Sequence, residues 1–201
     1  MQPQAATLRF AVFPRTSLVA DAVLVLAGAL LVAASAQISI PLPFTPVPIT
    51  GQTMAVLLVG ASLGAGRGAA SMGLYLLLGI VGTPVYAGGA DGVGVIFGAS
   101  GGYLLSYPIA AAITGALAER RWDRRVPSAA VAMLAGSVAI YAVGLPWLAA
   151  VTGSGAVETL GLGLVPFIPG DLFKLALAAG LLPAAWKLVR RVRGEDPDPP
   201  R

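Results

Sequence analysis

Residues 18–36 read LVADAVLVLAGALLVAASA, an apolar run whose single charged side chain, Asp21, lies near its start. A helix that crosses a bilayer needs about 20 mostly apolar residues, and this run meets that requirement. The chain of 201 residues is 57% hydrophobic and only 11% charged. Soluble domains carry about 25% charged residues. The sequence therefore predicts an all-α integral membrane protein embedded in a lipid bilayer.

Five further apolar segments follow the first, separated by stretches that are rich in proline, glycine or charge. Two of them, 53–65 and 69–81, are short for a bilayer span, and Arg67 and three glycines lie near their junction. We expect either two short helices in a thinned, protein-lined region or a re-entrant hairpin. The remaining segments are 101–118, 129–151 and 172–189, and the longer connections are 37–51, 82–98 and 152–169.

Basic residues predict which side of the membrane each connection occupies. They cluster beside alternate apolar segments, so the net charge of +4 reflects topology and gives no reason to expect nucleic-acid binding. The positive-inside rule then predicts one domain over residues 1–190, with six transmembrane helices, the second and third short, and both termini cytoplasmic. Residues 191–201 are predicted to form a disordered cytoplasmic tail. The basic residues of these clusters are Arg9, Arg15, Arg67, Arg120, Arg121, Arg124, Arg125, Lys187, Arg190, Arg191 and Arg193.

The chain contains no cysteine and no histidine, which excludes many kinds of chemistry. Disulfides, imidazole metal sites and every mechanism with a histidine base are ruled out, and we expect no metal and no cofactor. Ser100 lies in a GASG string like that of intramembrane serine proteases, but such a serine needs a base to activate it. Asp171 lacks the second intramembrane aspartate that an aspartyl protease uses. No phosphate-binding loop of the Walker type is present. We therefore predict a protein that is not an enzyme.

Asp171 and Lys174 are the only charged residues between Glu158 and Lys187. Their i, i+3 spacing puts both side chains on one face of the last helix, near its predicted outer end. Charges within a membrane are costly and mark functional sites by default, so the pair is predicted to offer an acceptor and a donor to a ligand. The alternative is that Asp171 caps the helix while Lys174 extends to the membrane surface.

Ala29 and Ala33 lie one turn apart on the first predicted helix. Small residues at this spacing let two helices approach closely. The pattern favours packing inside the chain, and docking of an external helix is the alternative.

Five ordered strings give this chain a resemblance to one known family. They are QISIPLP at 37–43 with TPVP at 45–48, LYLLLG at 74–79, GTPVYAGG at 82–89, GGYL at 101–104, and PFIPGD at 166–171 followed by Lys174. In these strings the chain resembles BioY, the biotin-specific substrate-capture (S) component of energy-coupling-factor (ECF) transporters.

The resemblance implies a multi-pass protein of the prokaryotic cell membrane that captures biotin from outside. It implies partnership with a transmembrane coupling protein and two ATPase subunits. By the same resemblance Asp171 and Lys174 contact biotin, and Ala29 and Ala33 form the surface on which the coupling protein docks. Tyr86 and Tyr103 are expected to form part of an apolar wall, and Gly88 and Gly89 to let the backbone approach the ligand. An ion-coupled transporter of another small vitamin is the rival function.

Overall fold

The first apolar run folds into a helix with the bounds that the sequence predicts, Leu18–Ala36. Ser17 caps it, because its hydroxyl oxygen accepts a hydrogen bond from the backbone N–H of Ala20 at 3.3 Å. This computed structural model describes residues 7–12 and 17–192. Arg15, Arg193 and most of the predicted tail lie outside the described residues.

Helices dominate the described part of the chain. We number them α1 to α9 in chain order, and two short strands, β1 and β2, lie between α2 and α3. The helices are Leu8–Val12, Leu18–Ala36, Gln52–Leu63, Ala65–Ile80, Val93–Phe97, Gly101–Glu119, Val126–Thr152, Ala156–Gly163 and Ile168–Val192, and the strands are Ser39–Ile40 and Ile49–Thr50.

Within the described residues, four helical stretches are long and apolar enough to cross a membrane. Three of them are α2, α6 and α7, and the fourth runs from α8 through α9. Helices α3 and α4 are shorter, with 12 and 16 residues. They form a pair joined at Gly64, whose φ of +87° lies in the region that favours glycine.

The sequence also predicted that Gly66, Arg67 and Gly68 would interrupt the chain between the two short helices, and this is wrong. All three lie inside α4. Gly68 is accommodated because its lack of a side chain lets α4 approach the backbone of Gly60 on α3. Arg67 is accommodated because its guanidinium binds Asp21 of α2 at 2.8 Å.

Two of the three longer connections contain helices that were predicted to be loops. Helix α8 lies within 152–169, and α5 lies within 82–98. Glu158 falls in the first turn of α8, where a carboxylate interacts favourably with the helix dipole. The proline-rich connection 37–51 is free of helix, as predicted, and its ends pair as the antiparallel strands β1 and β2.

One end of the bundle gathers charged residues from several elements. Asp21 binds both Arg67 and Arg9, the latter at 2.7 Å, and both guanidinium groups lie over the ring of Phe10. Glu119, at the end of α6, accepts a hydrogen bond from the N–H of Ala65 at the start of α4. These contacts join α1, α2, α4 and α6 at the same end of the molecule.

A second cluster at this end joins the α6–α7 connection to the last helix. The buried carboxylate of Asp123 accepts a hydrogen bond from the indole N–H of Trp186 on α9. The guanidinium of Arg124 lies 3.4 Å from the centre of the Trp186 ring. The C-terminal part of α9 is therefore fixed to the connection between α6 and α7.

Candidate functional site

A cavity of about 190 Å³ lies at the opposite end of the bundle, where α3, α6 and α9 begin. Its walls are mostly apolar, with a small number of polar side chains. This composition is typical of a small-molecule site. The lining residues are Val47, Pro48, Thr50, Gln52, Thr53, Tyr86, Ala87, Ala90, Val95, Ser100, Tyr103, Leu104, Tyr107, Ile140, Tyr141, Phe167, Asp171 and Lys174.

Asp171 and Lys174 both line this cavity, as the sequence predicts for a ligand-binding pair. Asp171 lies in the first turn of α9, and its Oδ1 accepts a hydrogen bond from Lys174 Nζ at 3.1 Å. Lys174 Nζ also donates to Thr53 Oγ1 of α3 at 3.3 Å. These two bonds use two of the three donors of the ammonium group, so one donor is left for a ligand.

Tyr141 completes the surroundings of the aspartate, and sequence reasoning missed it. Its hydroxyl, on α7, donates to Asp171 Oδ2. The contacts of the Asp171 carboxylate are thus made with side chains, which does not support the interpretation that it serves as a helix cap. A carboxylate oxygen accepts more than one hydrogen bond, so the group can still receive donors from a ligand.

Gln52 is a second residue that sequence reasoning missed. It lies at the start of α3, is 4% exposed, and is held by three hydroxyl groups. The sequence signal for Gln52 was an amide at the edge of an apolar segment. Such an amide is informative because polar groups within a membrane protein need partners and mark sites.

Tyr103 and Tyr86 both line the cavity, with their hydroxyls bound elsewhere. Tyr103 donates to the carbonyl oxygen of Gly163 at 2.8 Å, and its ring meets that of Tyr141 edge to face. Tyr86 donates to the carbonyl oxygen of Leu76 at 2.7 Å, and burial raises the pKa of its hydroxyl. Each hydroxyl hydrogen is taken by a backbone carbonyl, so neither residue has a donor left for the cavity.

Gly88 and Gly89 do not line the cavity. They are exposed, and their φ angles of +66° and +77° form the turn between Ala87 and Ala90, which do line it. The turn is closed by a hydrogen bond from the N–H of Tyr86 to the carbonyl oxygen of Ala90 at 3.0 Å. The two glycines therefore shape the wall without being part of it.

The three longer connections are tied down around the cavity by side-chain hydrogen bonds. Thr45 Oγ1 donates to the carbonyl oxygen of Leu162 at 2.8 Å, which joins the proline-rich connection to α8. Trp147 Nε1 donates to the carbonyl oxygen of Gly98 at 3.0 Å, which joins α7 to the glycine-rich connection. Together with the Tyr103–Gly163 bond, these contacts hold the rim of the cavity in place.

Ala29 and Ala33 lie on the inner face of α2, only 0% and 8% exposed. The neighbouring Gly28 packs against Ser71 of α4 and Val59 of α3, which shows what this face meets. Both alanines are covered by the protein itself, so in this structure neither is available to a partner helix. This burial favours packing inside the chain as the reason for their spacing, and docking of a coupling protein on them stays a prediction.

Ser100, which the GASG string offered as a protease nucleophile, also lines the cavity. In the part of the chain that the structure describes, no group of three or more histidine, cysteine, aspartate or glutamate side chains is arranged to hold a metal ion. What the cavity offers is a carboxylate, an ammonium, an amide and several hydroxyls in an apolar enclosure.

A family model described as the BioY family matches residues 4–191, nearly the whole chain. This chain belongs to the BioY family. The membership confirms the resemblance seen in the five strings, including the one that contains Asp171.

Named relatives of this BioY family member agree with that assignment. The biotin transporter BioY of Rhizobium etli is 38% identical over 159 residues, which cover 76% of this chain and 84% of the relative. The biotin transporter BioY of Rhodobacter capsulatus is 40% identical over 162 residues, which cover 75% of this chain and 84% of the relative.

A solved structure shares the fold of this BioY family member. It is the crystal structure of the S-component for biotin from an ECF-type ABC transporter, with a TM-score of 0.74 and 25% identity. The match covers 90% of this chain and 96% of the solved one. The relatives and the solved protein are transport proteins by their names, in agreement with the prediction that this chain is not an enzyme.

Proposed function

We propose that this chain captures biotin from the outer side of a prokaryotic cell membrane and delivers it inward, as the substrate-binding component of an ECF-type biotin transporter. The observation that carries the proposal is the Asp171–Lys174 pair, which lies in the wall of an apolar cavity in a member of the BioY family.

The chemistry of the pair complements the head group of biotin. The ureido ring of biotin carries two N–H donors and one carbonyl acceptor. The carboxylate of Asp171 accepts from an N–H group, and the remaining donor of Lys174 serves the carbonyl oxygen. Hydrogen bonds that involve a charged partner are about twice as strong as neutral ones.

The rest of the cavity suits the apolar body of the same ligand. Tyr103, Phe167 and Ile140 line it, and burial of the fused rings and the hydrocarbon chain against such groups contributes about 25 cal/mol per Å² of apolar surface. Tyr86 extends this wall. Gly88 and Gly89 act through the turn that carries Ala87 and Ala90.

Charge distribution supports an arrangement of six transmembrane helices in one domain over residues 1–190, with both termini in the cytoplasm. The bundle end away from the cavity carries Arg67, the basic cluster after α6 and the basic residues that end α9. Near the cavity the connections carry only Asp91 and Glu158. Basic residues are retained on the cytoplasmic side, so the cavity opens outward.

ATP hydrolysis is assigned to partners in this proposal. The chain has no phosphate-binding loop of its own, so energy for inward delivery comes from a transmembrane coupling protein and two ATPase subunits.

The proposal is tested by titrating biotin into purified protein that carries Asp171→Asn or Lys174→Met. Each change removes a charge-assisted hydrogen bond worth about 1.5–3 kcal/mol, so biotin should bind roughly ten- to a hundred-fold more weakly. Dethiobiotin keeps the ureido group and should follow the same pattern across the variants.

Matched controls are available on the same chain. Glu158→Gln removes an exposed carboxylate on α8, and Lys187→Met removes a lysine from the far end of α9. Both should bind biotin like the unchanged protein. The site assignment fails if both cavity variants keep their affinity, and the proposed function fails if the unchanged protein does not bind biotin.

A further inference from the structure

Gln52 is a buried amide in the cavity wall, and its side chain is held by hydroxyl groups. Its backbone begins α3, and its neighbour Thr53 binds Lys174 at 3.3 Å. The amide therefore lies one residue away from the contact that joins α3 to the charged pair.

The hydrogen bonds around the side chain determine which way the amide faces. Tyr75 donates its only hydroxyl hydrogen to the carbonyl oxygen of Val85 at 3.2 Å. Its contact with Gln52 at 2.5 Å must therefore be one in which the tyrosine oxygen accepts, which identifies the atom facing it as Nε2.

The other atom of the amide is fully occupied by hydroxyl donors. Thr50 Oγ1 donates to Gln52 Oε1 at 3.0 Å, and Tyr107 donates to the same oxygen at 3.3 Å. A carbonyl oxygen has two lone pairs, so Oε1 has no capacity left for a ligand.

One donor of the amide has no partner among the described residues. Nε2 carries two hydrogens, and Tyr75 receives one of them. Gln52 lines the cavity, and the orientation of its amide is set by hydroxyl groups from β2, from α4 and from α6. A donor held this firmly in an enclosed wall discriminates for ligands that carry an acceptor, because an unmatched buried donor costs free energy.

We infer that Gln52 is a substrate-recognition residue whose free Nε2 hydrogen donates to an oxygen of the ligand, while Tyr75 and Tyr107 position the amide. The inference rests on the proposed function, since the ligand considered is biotin. Biotin offers two oxygen acceptors of this kind, the ureido carbonyl and the carboxylate. The N–H group of Gln52 can donate a hydrogen bond to either of these oxygens.

The test measures ratios of affinities, so that a general loss of stability does not affect the result. Protein with Gln52→Met is titrated with biotin, with the thiourea analogue in which sulfur replaces the ureido oxygen, and with an analogue whose chain ends in a methyl group in place of the carboxylate. Gln52→Glu is a second variant of nearly the same shape, and its ionised carboxylate also lacks the donor. Thr114→Val, which changes a buried hydroxyl of α6 outside the cavity lining, is the matched control.

Loss of the hydrogen bond should weaken biotin binding about 3- to 10-fold in both Gln52 variants and leave the control unchanged. If the ureido oxygen is the partner, the preference for biotin over the thiourea analogue falls by about the same factor. If the carboxylate is the partner, the preference for biotin over the methyl-terminated analogue falls instead.

Either result supports the inference and identifies the acceptor. Gln52 variants that bind biotin normally, or that lose affinity for all three ligands equally, overturn it while leaving the proposed function intact. Failure of the unchanged protein to bind biotin overturns both.

Discussion

The carboxylate of Asp171 is held from two sides, by one side chain of its own helix and by one side chain of α7. Lys174 reaches Oδ1 from the same helix, and Tyr141 donates to Oδ2 from α7. Each oxygen thus has a fixed partner, and the plane of the carboxylate is set before a ligand arrives. A preorganised group loses less conformational freedom on binding, so Tyr141 should contribute to affinity without touching the ligand through its hydroxyl.

We predict that Tyr141→Phe weakens biotin binding by roughly ten-fold. The change removes one hydrogen bond to a charged acceptor, worth about 1.5–3 kcal/mol, and part of that loss is recovered when another donor reaches the carboxylate. Isothermal titration of the purified protein measures it. Ser128→Ala removes a hydroxyl near the other end of the same helix, where Ser128 binds the Arg125 carbonyl oxygen, and should bind biotin normally. Equal affinities in all three proteins would refute the positioning role of Tyr141.

At this scale the sequence identified the charged residues of the cavity but not their neutral partners. Asp171 and Lys174 stand out because charges are rare in an apolar chain. Tyr141 and Gln52 do not, because a tyrosine in a membrane helix is ordinary and an amide at a helix start resembles a surface residue. Their roles depend on contacts between α7 and α9 and among α3, α4 and α6, which no local pattern contains.

Helix α9 connects the two ends of the molecule. It begins at the cavity with Asp171 and Lys174, and near its other end Trp186 donates to the buried carboxylate of Asp123. Burial raises the pKa of Asp123, although Trp186 and Arg124 act in the opposite direction. The anchoring of α9 should therefore depend on pH.

The sign follows from the raised pKa. The folded state holds the proton of Asp123 more tightly than the unfolded state does, so this residue stabilises the fold most at a pH below its ordinary pKa of about 4. That contribution is lost as the pH rises through the raised pKa of the folded state. We predict that Asp123→Asn removes this part of the pH dependence, because a neutral amide oxygen still accepts from Trp186.

Thermal unfolding of the purified protein between about pH 4 and 7 measures the effect. The melting temperature of Asp123→Asn should rise relative to the unchanged protein as the pH increases. Ser128→Ala adds and removes no titratable group, so its melting temperature should differ from that of the unchanged protein by a constant offset. Parallel curves for all three proteins would contradict the prediction.

Elements were predicted well where a single local rule decides them and poorly where packing does. The bounds of α2 were predicted correctly because an apolar run of this length is what a membrane-spanning helix needs. The absence of helix from 37–51 was predicted correctly because the ring of proline does not fit inside a helix. Helix α8 was missed because its glycines suggested a loop, whereas Tyr103 holds its C-terminal end through Gly163. Gly66 and Gly68 were taken as breaks because the partner on α3 is invisible in the sequence.

At the scale of the whole molecule, the proposed function requires that the cavity and the basic clusters lie on opposite sides of the membrane. The chain has no cysteine, so single introduced thiols report accessibility without any background. The same change, valine to cysteine, can be made at three exposed positions, two at the cavity end of the molecule and one at the opposite end. They are Val81 after α4 and Val157 on α8, 75% and 86% exposed, and Val126 at the start of α7, 53% exposed.

We predict that Val81→Cys and Val157→Cys react with a membrane-impermeant maleimide in intact cells, whereas Val126→Cys reacts only after the cells are opened. Val81 and Val157 belong to the cavity end, and Val126 follows the basic residues Arg124 and Arg125, which the positive-inside rule retains in the cytoplasm. Labelling of Val126→Cys in intact cells, with protection of the other two, would invert the topology. Biotin could then not reach Asp171 from outside, and capture of an external vitamin would no longer be a possible role for this cavity.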